Sequence, residues 1–194
     1  VASTKAFTGM LSHLLLLAFA LIGKVKEGKE MVASAAVIAE RVLSPEGTKK
    51  IEVIARKLNK SEHLYVFGRG LSYPASLETA LKIKEISYIH AEGMAAGELK
   101  HGTLALVTHG TPVVAFLPND ETYGANLAGA MEMKARGAFV IGVSYKQHEV
   151  FDEYIHVEDA GEATIIPNVI VGQLLAYYLT MARGLDPDKP RNLA

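Results

Sequence analysis

The sequence contains no cysteine, no long hydrophobic run and almost no net charge. Without cysteine, disulfides, thiolate nucleophiles and cysteine-ligated zinc are excluded, and the composition is compatible with a reducing compartment. A net charge of −1 over 194 residues does not indicate a general nucleic-acid binder. One phosphate requires only a few local donors, so a small anionic ligand is compatible with this balance.

The longest apolar run is LLLLAFALI, residues 14–22. Such a run is too short for a bilayer, which requires about 20 residues, and polar residues interrupt the approach to it, so we expect neither a membrane span nor a secretory signal. A helix is predicted here, capped by Ser3 or Thr4 and ended by Gly23. Its apolar residues cover too much of the circumference for a surface helix. We therefore expect it to be buried against something larger, for which a domain outside this chain is one candidate.

From residue 63 onward, short apolar strands alternate with helices. This alternation predicts a parallel sheet covered by helices on both faces, a three-layer α/β fold. The predicted helices cover residues 29–43, 45–58, 75–88, 121–136 and 168–183, and the predicted strands cover residues 63–68, 111–117, 138–144 and 154–157. Ligands of such sheets bind beyond the carboxyl ends of the strands. We therefore expect a site in the loops after Phe67, Leu117 or Ser144.

The same pattern divides the chain into three parts. Residues 1–60 are interpreted as the helical tail of a preceding domain plus a linker, and residues 61–184 as an α/β domain. Residues 185–194, a polar and proline-punctuated segment, are expected to form an extended tail.

Charged residues recur on one face of the predicted helix 75–88. Glu78, Lys82 and Glu85 are spaced i, i+4 and i+7, so they share one stripe. On periodicity alone, the favoured interpretation is a solvated ladder of salt bridges, each worth about 0.2–0.5 kcal/mol.

Residues 89–102, IHAEGMAAGELKHG, are predicted to form a loop rich in polar groups. Loops between buried elements often carry function, and the imidazole of His101 can act as a general acid or base near neutral pH. For either histidine taken alone, the simpler interpretation is favoured, in which His90 and His101 cap a helix end or satisfy local carbonyls.

Two further segments can bind anions or only shape the chain. Gly68-Arg69-Gly70 follows a strand but lacks the third glycine of a dinucleotide fingerprint, so we reject nicotinamide binding and keep a tight turn or an anion-binding loop. Residues 1–7 offer hydroxyl and N–H groups that can hold a sugar or phosphate oxygen, or merely cap the helix. No pair of histidines has convincing metal-ligand spacing, so we predict no metal and no cofactor.

Four segments, in this order, resemble the family of glutamine–fructose-6-phosphate aminotransferases: VASTKAFT, GRGLSYPASLETALKIKEISYIHAEG, AAGELKHGTLALV and DKPRNLA. The resemblance covers nearly the whole chain. It implies a glutaminase domain followed by two flavodoxin-like sugar-isomerase (SIS) domains, of which this chain contains the end of the first and all of the second. It further implies a cytoplasmic homodimer that converts fructose 6-phosphate to glucosamine 6-phosphate.

The resemblance implies catalytic roles for three residues. Glu85 matches the carboxylate that moves a proton between C1 and C2 of the sugar, and Lys82 matches a lysine that assists the hydroxyl chemistry. His101 matches a histidine linked to ring opening and contributed by the neighbouring subunit. This assignment is chemically reasonable, because one carboxylate over both carbons can perform both proton transfers while a cation steadies the developing oxyanion.

The resemblance also implies substrate contacts at Val1, Ser3 and the backbone of Ala194. Three departures accompany it. The family pattern continues past NLA with a lysine that forms a Schiff base with the sugar, and its serine- and threonine-rich phosphate cradle precedes the segment that begins here. Thr103 stands where the family usually has proline, a minor difference. We therefore expect the chain by itself to be inactive.

Two other functions are open on the sequence. SIS domains also serve as non-catalytic phosphosugar-binding modules in transcription regulators, although no helix-turn-helix or basic face is present here. A simple phosphosugar aldose–ketose isomerase would share the isomerase motifs without amination.

Overall fold

The computed structural model describes residues 2–192 of the chain. In that range the helices are α1 (Lys5–Leu21), α2 (Val25–Val42), α3 (Pro45–Leu58), α4 (Ser72–Lys82), α5 (Tyr123–Lys134) and α6 (Ile165–Ala182), and the strands are β1 (His63–Gly68), β2 (His90–Ala95), β3 (Pro112–Leu117), β4 (Phe139–Ser144) and β5 (Glu153–His156). A π-helical turn, Ile83–Ser87, prolongs α4, and 3₁₀ turns cover Ala96–His101 and Thr103–Leu106.

The five strands form one parallel sheet in the order β2-β1-β3-β4-β5. One face packs against α2, α3, α4 and α6, and the other packs against α5 and the 3₁₀ turns. The central strand β3 is buried along its whole length, as its continuous apolar run predicts for a strand covered on both faces. The predicted three-layer, flavodoxin-like α/β fold is confirmed.

The prediction missed one strand. We expected a loop throughout residues 89–102, whereas its first half forms β2 at the edge of the sheet, paired with β1 from His63↔His90 to Gly68↔Ala95. The segment HAEGMA has low β-propensity, so only tertiary packing selects it. Gly93 shows why: an added Cβ would stand 2.6 Å from the carbonyl oxygen of Ser76, so α4 lies directly on this strand.

Several element ends also differ from prediction. Helix α2 begins at Val25 rather than near residue 29, and α4 begins at Ser72 rather than near residue 75. The tail is not fully extended, because the Lys189 N–H donates to the Asp186 carbonyl in a turn. Capping of α1 was also predicted wrongly: Thr4 occupies the N-cap but its side chain accepts no hydrogen bond.

Helix α1 is anchored at its end and open along one side. Phe19 is buried against α2, where an added Cβ on Gly28 would stand 2.6 Å from the Phe19 Cβ. Four apolar side chains of α1 remain exposed, and they recur at i, i+4, i+7 and i+11: Met10, Leu14, Leu17 and Leu21. The expected burial of this helix is therefore not provided by residues 2–192.

Helix α6 is the most apolar helix in the described range. The stretch Gly161–Ala182 has the length and hydropathy of a membrane span, and 61% of its apolar 18-residue segment is buried inside the fold. It packs against α3 and α4, so the sheet domain itself accounts for its apolar composition.

Candidate functional site: a buried charge cluster on α4

The predicted charge stripe closes into a cluster at the end of α4. The Lys82 Nζ lies 2.5 Å from a carboxylate oxygen of Glu85 in the π-helical turn and 3.6 Å from Glu78 Oε1 one turn earlier. Only the contact with Glu85 is short enough for a hydrogen bond. The structure thus brings together two of the three predicted catalytic residues.

Burial of the cluster contradicts the solvated-ladder interpretation. The side chains of Lys82 and Glu78 are only 5% and 6% exposed, while that of Glu85 is 22% exposed. Helix α6 packs directly on α4 next to the cluster, since an added Cβ on Gly172 would stand 2.0 Å from the Oγ1 of Thr79, the residue that follows Glu78. Buried ions are rare unless paired, and here Glu85 is the member of the pair that solvent and ligands can reach.

Glu78 is the group that the sequence reasoning placed on the stripe without assigning it a role. Its Oε1 is buried and has no hydrogen-bond partner. Burial raises the pKa of the Glu78 carboxyl, Lys82 lowers it, and the negative charge of Glu85 raises it further, with a net upward shift. With both carboxylates ionised, the cluster holds two negative charges and one positive charge.

The cluster lies at the amino end of the sheet, not at the expected carboxyl end. Helix α4 starts beside the end of β1, where Gly68 meets Ser72, and runs back so that the π-helical turn precedes the first residue of β2. Ser87 Oγ donates to the Ile83 carbonyl at 2.7 Å and closes that turn. The sequence therefore predicted candidate sites at opposite ends of the domain: the loops after the strands lie at one end, and the charge cluster lies at the other.

A cavity of about 460 Å³ does exist at the carboxyl end, between the loops after β1, β3 and β5. Four of its lining residues are acidic and none is lysine or arginine: Asp120, Glu121, Asp159 and Glu162. This charge is unfavourable for a phosphate ligand. Gly70, with φ of +59°, and Gly68, where an added Cβ would meet the Ser72 carbonyl at 2.4 Å, support the tight-turn interpretation of the GRG loop.

His101 lies apart from the cluster. It ends the 3₁₀ turn after β2 and is exposed. That turn packs on the α5 face of the sheet, where the neighbouring Lys100 pairs with Glu132 at 2.9 Å, whereas the cluster lies on the α6 face. In a single chain, His101 and Glu85 are therefore on opposite sides of the sheet.

The predicted substrate contacts lie at the two ends of the chain. Ser3 is exposed just before α1, and the next carbonyl, that of Thr4, accepts a hydrogen bond from Gln173 of α6 at 3.4 Å. Val1 and Ala194 lie outside the described residues. Among residues 2–192, no group of three or more histidine, aspartate and glutamate side chains is arranged to hold a metal ion.

The parallel sheet with order 2-1-3-4-5 defines a flavodoxin-like α/β protein. A family model of the SIS domain matches residues 57–183, and the chain belongs to this family. It is 42% identical over 208 residues to the protein of Pyrococcus horikoshii named glutamine–fructose-6-phosphate aminotransferase [isomerizing], covering 100% of this chain and 33% of that protein. The Streptococcus mutans protein of the same name is 38% identical over 207 residues, with the same coverage.

Solved structures of proteins with related names also superpose on this chain. The C-terminal domain of glucosamine-fructose-6-phosphate aminotransferase from Francisella tularensis superposes with a TM-score of 0.84 at 36% identity, covering 97% of this chain and 56% of that one. Glucosamine-6-phosphate deaminase from Thermotoga maritima superposes with a TM-score of 0.75 at 26% identity, covering 99% and 56%. The chain spans about one third of the length of its curated relatives and matches their sugar-isomerase portion.

Proposed function

We propose that this chain is the sugar-isomerase portion of an enzyme that converts fructose 6-phosphate and glutamine-derived ammonia to glucosamine 6-phosphate. The observation that carries the proposal is the Lys82–Glu85 pair, in which a buried ammonium holds a carboxylate that is open on one side. A carboxylate of this kind can transfer a proton between adjacent carbons of a bound sugar. The match of the whole chain to one third of an aminotransferase supports amination as the accompanying step.

In the proposed reaction, the Schiff-base lysine condenses with the C2 carbonyl of the open-chain sugar and releases water, and ammonia then displaces the lysine amine to leave an imine at C2. The Glu85 carboxylate then removes a proton from C1 while the imine nitrogen takes up a proton, which gives an enaminol. The same carboxyl group returns its proton to C2 as the C1 hydroxyl releases its own proton, which leaves an aldehyde at C1 and an amine at C2. The Lys82 ammonium, 2.5 Å from Glu85, stabilises negative charge on the substrate oxygen during this shift. These steps require no metal or cofactor.

His101 is proposed to assist ring opening in the site of a second copy. Its position on the sheet face opposite Glu85 supports this arrangement, since a single chain does not bring the two together. A cyclic dimer would use each surface twice, once from each subunit. We therefore propose that the protein is a homodimer. We also propose that it is located in the cytoplasm.

The exposed stripe of α1, defined by Met10, Leu14, Leu17 and Leu21, is proposed to pack against the first isomerase domain of the longer polypeptide. Contiguous apolar surface of this kind usually marks an interface. The same domain is proposed to complete the phosphate site with Val1 and Ser3, and residues beyond Ala194 to supply the Schiff-base lysine.

The test uses the longer polypeptide with fructose 6-phosphate, with and without ammonia. We expect Glu85→Gln to lower kcat by about 10²–10⁴-fold while fructose 6-phosphate still binds. The control is Glu92→Gln, an exposed glutamate on β2, which should keep wild-type turnover.

Each alternative predicts a different result. Undiminished turnover in Glu85→Gln would show that the cluster has only a structural role. Sugar interconversion that never yields amino sugar would indicate a simple aldose–ketose isomerase, and binding without any conversion would indicate a phosphosugar-binding module.

A further inference from the structure

Tyr88 holds the end of the described tail through two contacts. Its phenol oxygen accepts a hydrogen bond of 2.7 Å from the backbone N–H of Arg191, and the Arg191 guanidinium lies 4.2 Å from the centre of the Tyr88 ring. The hydrogen bond locates the main chain, and the cation–π contact locates the side chain. Pro190, the preceding residue, is buried. The tail is thus docked onto the domain at this point.

The backbone of Tyr88 has an uncommon conformation. Tyr88 follows the π-helical turn with φ of +61° and ψ of +17°, in the left-handed region. Residues other than glycine and asparagine occupy this region at an energetic cost, and such strain persists where the surrounding structure determines it. Here the hydrogen bond from Ser87 to Ile83 closes the turn, and β2 begins two residues later.

The location of this contact relates the tail to the charge cluster. Tyr88 follows Glu85 by three residues, so the tail is docked on the segment that also carries the partly exposed Glu85 carboxylate. A tail that covers the open side of Glu85 would lower solvent access there, and lower solvent access strengthens electrostatic interactions.

We propose that Tyr88 is a positioning residue that docks the C-terminal tail beside the Lys82–Glu85 pair, and that the docked tail strengthens sugar-phosphate binding there. The second half of this inference rests on the proposed function. Tyr88 itself touches no reacting atom; it acts through Arg191 and the tail.

The experiment compares three variants of the longer polypeptide. Tyr88→Phe keeps the ring and removes the acceptor oxygen, Arg191→Ala removes the cation–π contact without altering the strained residue, and Tyr88→Leu removes both contacts. Tyr177→Phe is the control, because Tyr177 is an exposed tyrosine on α6 that pairs with Tyr178.

The first readout is hydrogen exchange of the peptide covering residues 186–192. The Arg191 amide should exchange about tenfold faster in Tyr88→Phe, because it loses its acceptor, and at least as fast in Tyr88→Leu. Arg191→Ala should accelerate exchange of the neighbouring tail amides, and Tyr177→Phe should leave all of them unchanged. Unchanged exchange in both Tyr88→Phe and Arg191→Ala would overturn the docking.

The second readout is the kinetics with fructose 6-phosphate. We expect Tyr88→Leu and Arg191→Ala to raise KM about fivefold to tenfold with kcat within about twofold, as for lost binding rather than lost chemistry. Faster exchange with an unchanged KM would overturn the positioning role. A wild-type polypeptide that never converts fructose 6-phosphate would refute the proposed function and the role in sugar binding together, while the exchange readout would still decide the docking.

Discussion

Glu78 and Lys82 face each other on α4 at 3.6 Å, a distance that leaves the buried Glu78 Oε1 without a hydrogen bond. Lys82 instead donates to Glu85 at 2.5 Å. The Lys82 ammonium therefore interacts with both carboxylates, but it forms a hydrogen bond only with Glu85. We expect this difference to affect both the free energy of unfolding of the domain and the pH dependence of that free energy.

Removing the shared cation should be costly. Lys82→Met leaves two carboxylates without a partner, one of them buried, so we expect the free energy of unfolding to fall by about 3–5 kcal/mol in urea denaturation. Adding Glu78→Gln should restore most of the loss. Lys84→Met removes an exposed lysine two positions away and should change stability by less than about 0.5 kcal/mol. Equal effects of Lys82→Met and Lys84→Met would contradict the burial of the cluster.

Glu78 should make the domain less stable as the pH rises. Burial raises the pKa of its carboxyl in the folded state above the unfolded value, so the folded protein binds more protons and folding favours the neutral form. The contribution of the Glu78 carboxyl to the free energy of unfolding is therefore fully present below its unfolded pKa and is lost as the pH rises through its folded pKa. Urea midpoints from about pH 4 to about pH 7 should show Glu78→Gln gaining stability relative to wild type. Parallel curves would show that Glu78 is not perturbed.

Glu153 should show the opposite dependence. Burial raises the pKa of this carboxyl, but hydrogen bonds and charge from Lys50 and Lys57 outweigh that effect and hold the pKa below its ordinary value. The stabilisation is present above the unfolded pKa and is lost as the pH falls through the folded pKa. Glu153→Gln should therefore cost about 1–3 kcal/mol at neutral pH and much less near about pH 3. Exposed Glu121→Gln serves as the control, and a deficit that persists in acid would disprove the ion pairing.

The stripe of α1 should matter only in the longer polypeptide. Leu14 is 61% exposed here, so Leu14→Lys should leave the thermal stability of the 194-residue chain unchanged. If the stripe packs against another domain, the same substitution should destabilise the longer polypeptide by about 1.5–3 kcal/mol. Met131→Lys on α5, where the side chain is 52% exposed, should be silent in both forms. An equally silent Leu14→Lys would show that the stripe has no partner domain.

The architecture of the sheet domain could be predicted from local patterns. The runs that became β1, β3 and β4 are apolar and bounded by glycine, proline or polar residues, and right-handed crossovers leave few ways to connect them. The edge strand β2 could not be predicted in this way. Its sequence has two alanines, a glycine and a glutamate, and it becomes a strand because α4 packs directly onto Gly93.

The candidate site was predictable in its residues but not in its environment. Helical spacing placed Glu78, Lys82 and Glu85 on one stripe, and the resemblance to aminotransferases assigned roles to the last two. Periodicity does not state what a helix face meets, so it could not distinguish a solvated ladder from a buried cluster. The tertiary structure decided that question, because it leaves the side chains of Lys82 and Glu78 only 5% and 6% exposed.

The sequence alone therefore determined the order of the elements other than β2, the parallel α/β fold and the family, because these depend on local periodicity and on motifs in fixed order. The tertiary structure alone decided that Lys82 is buried, that His101 lies on the opposite sheet face from Glu85, and that Tyr88 meets Arg191, 103 residues later. Such contacts join segments far apart in the chain, and their geometry depends on how helices pack across the sheet rather than on any local pattern.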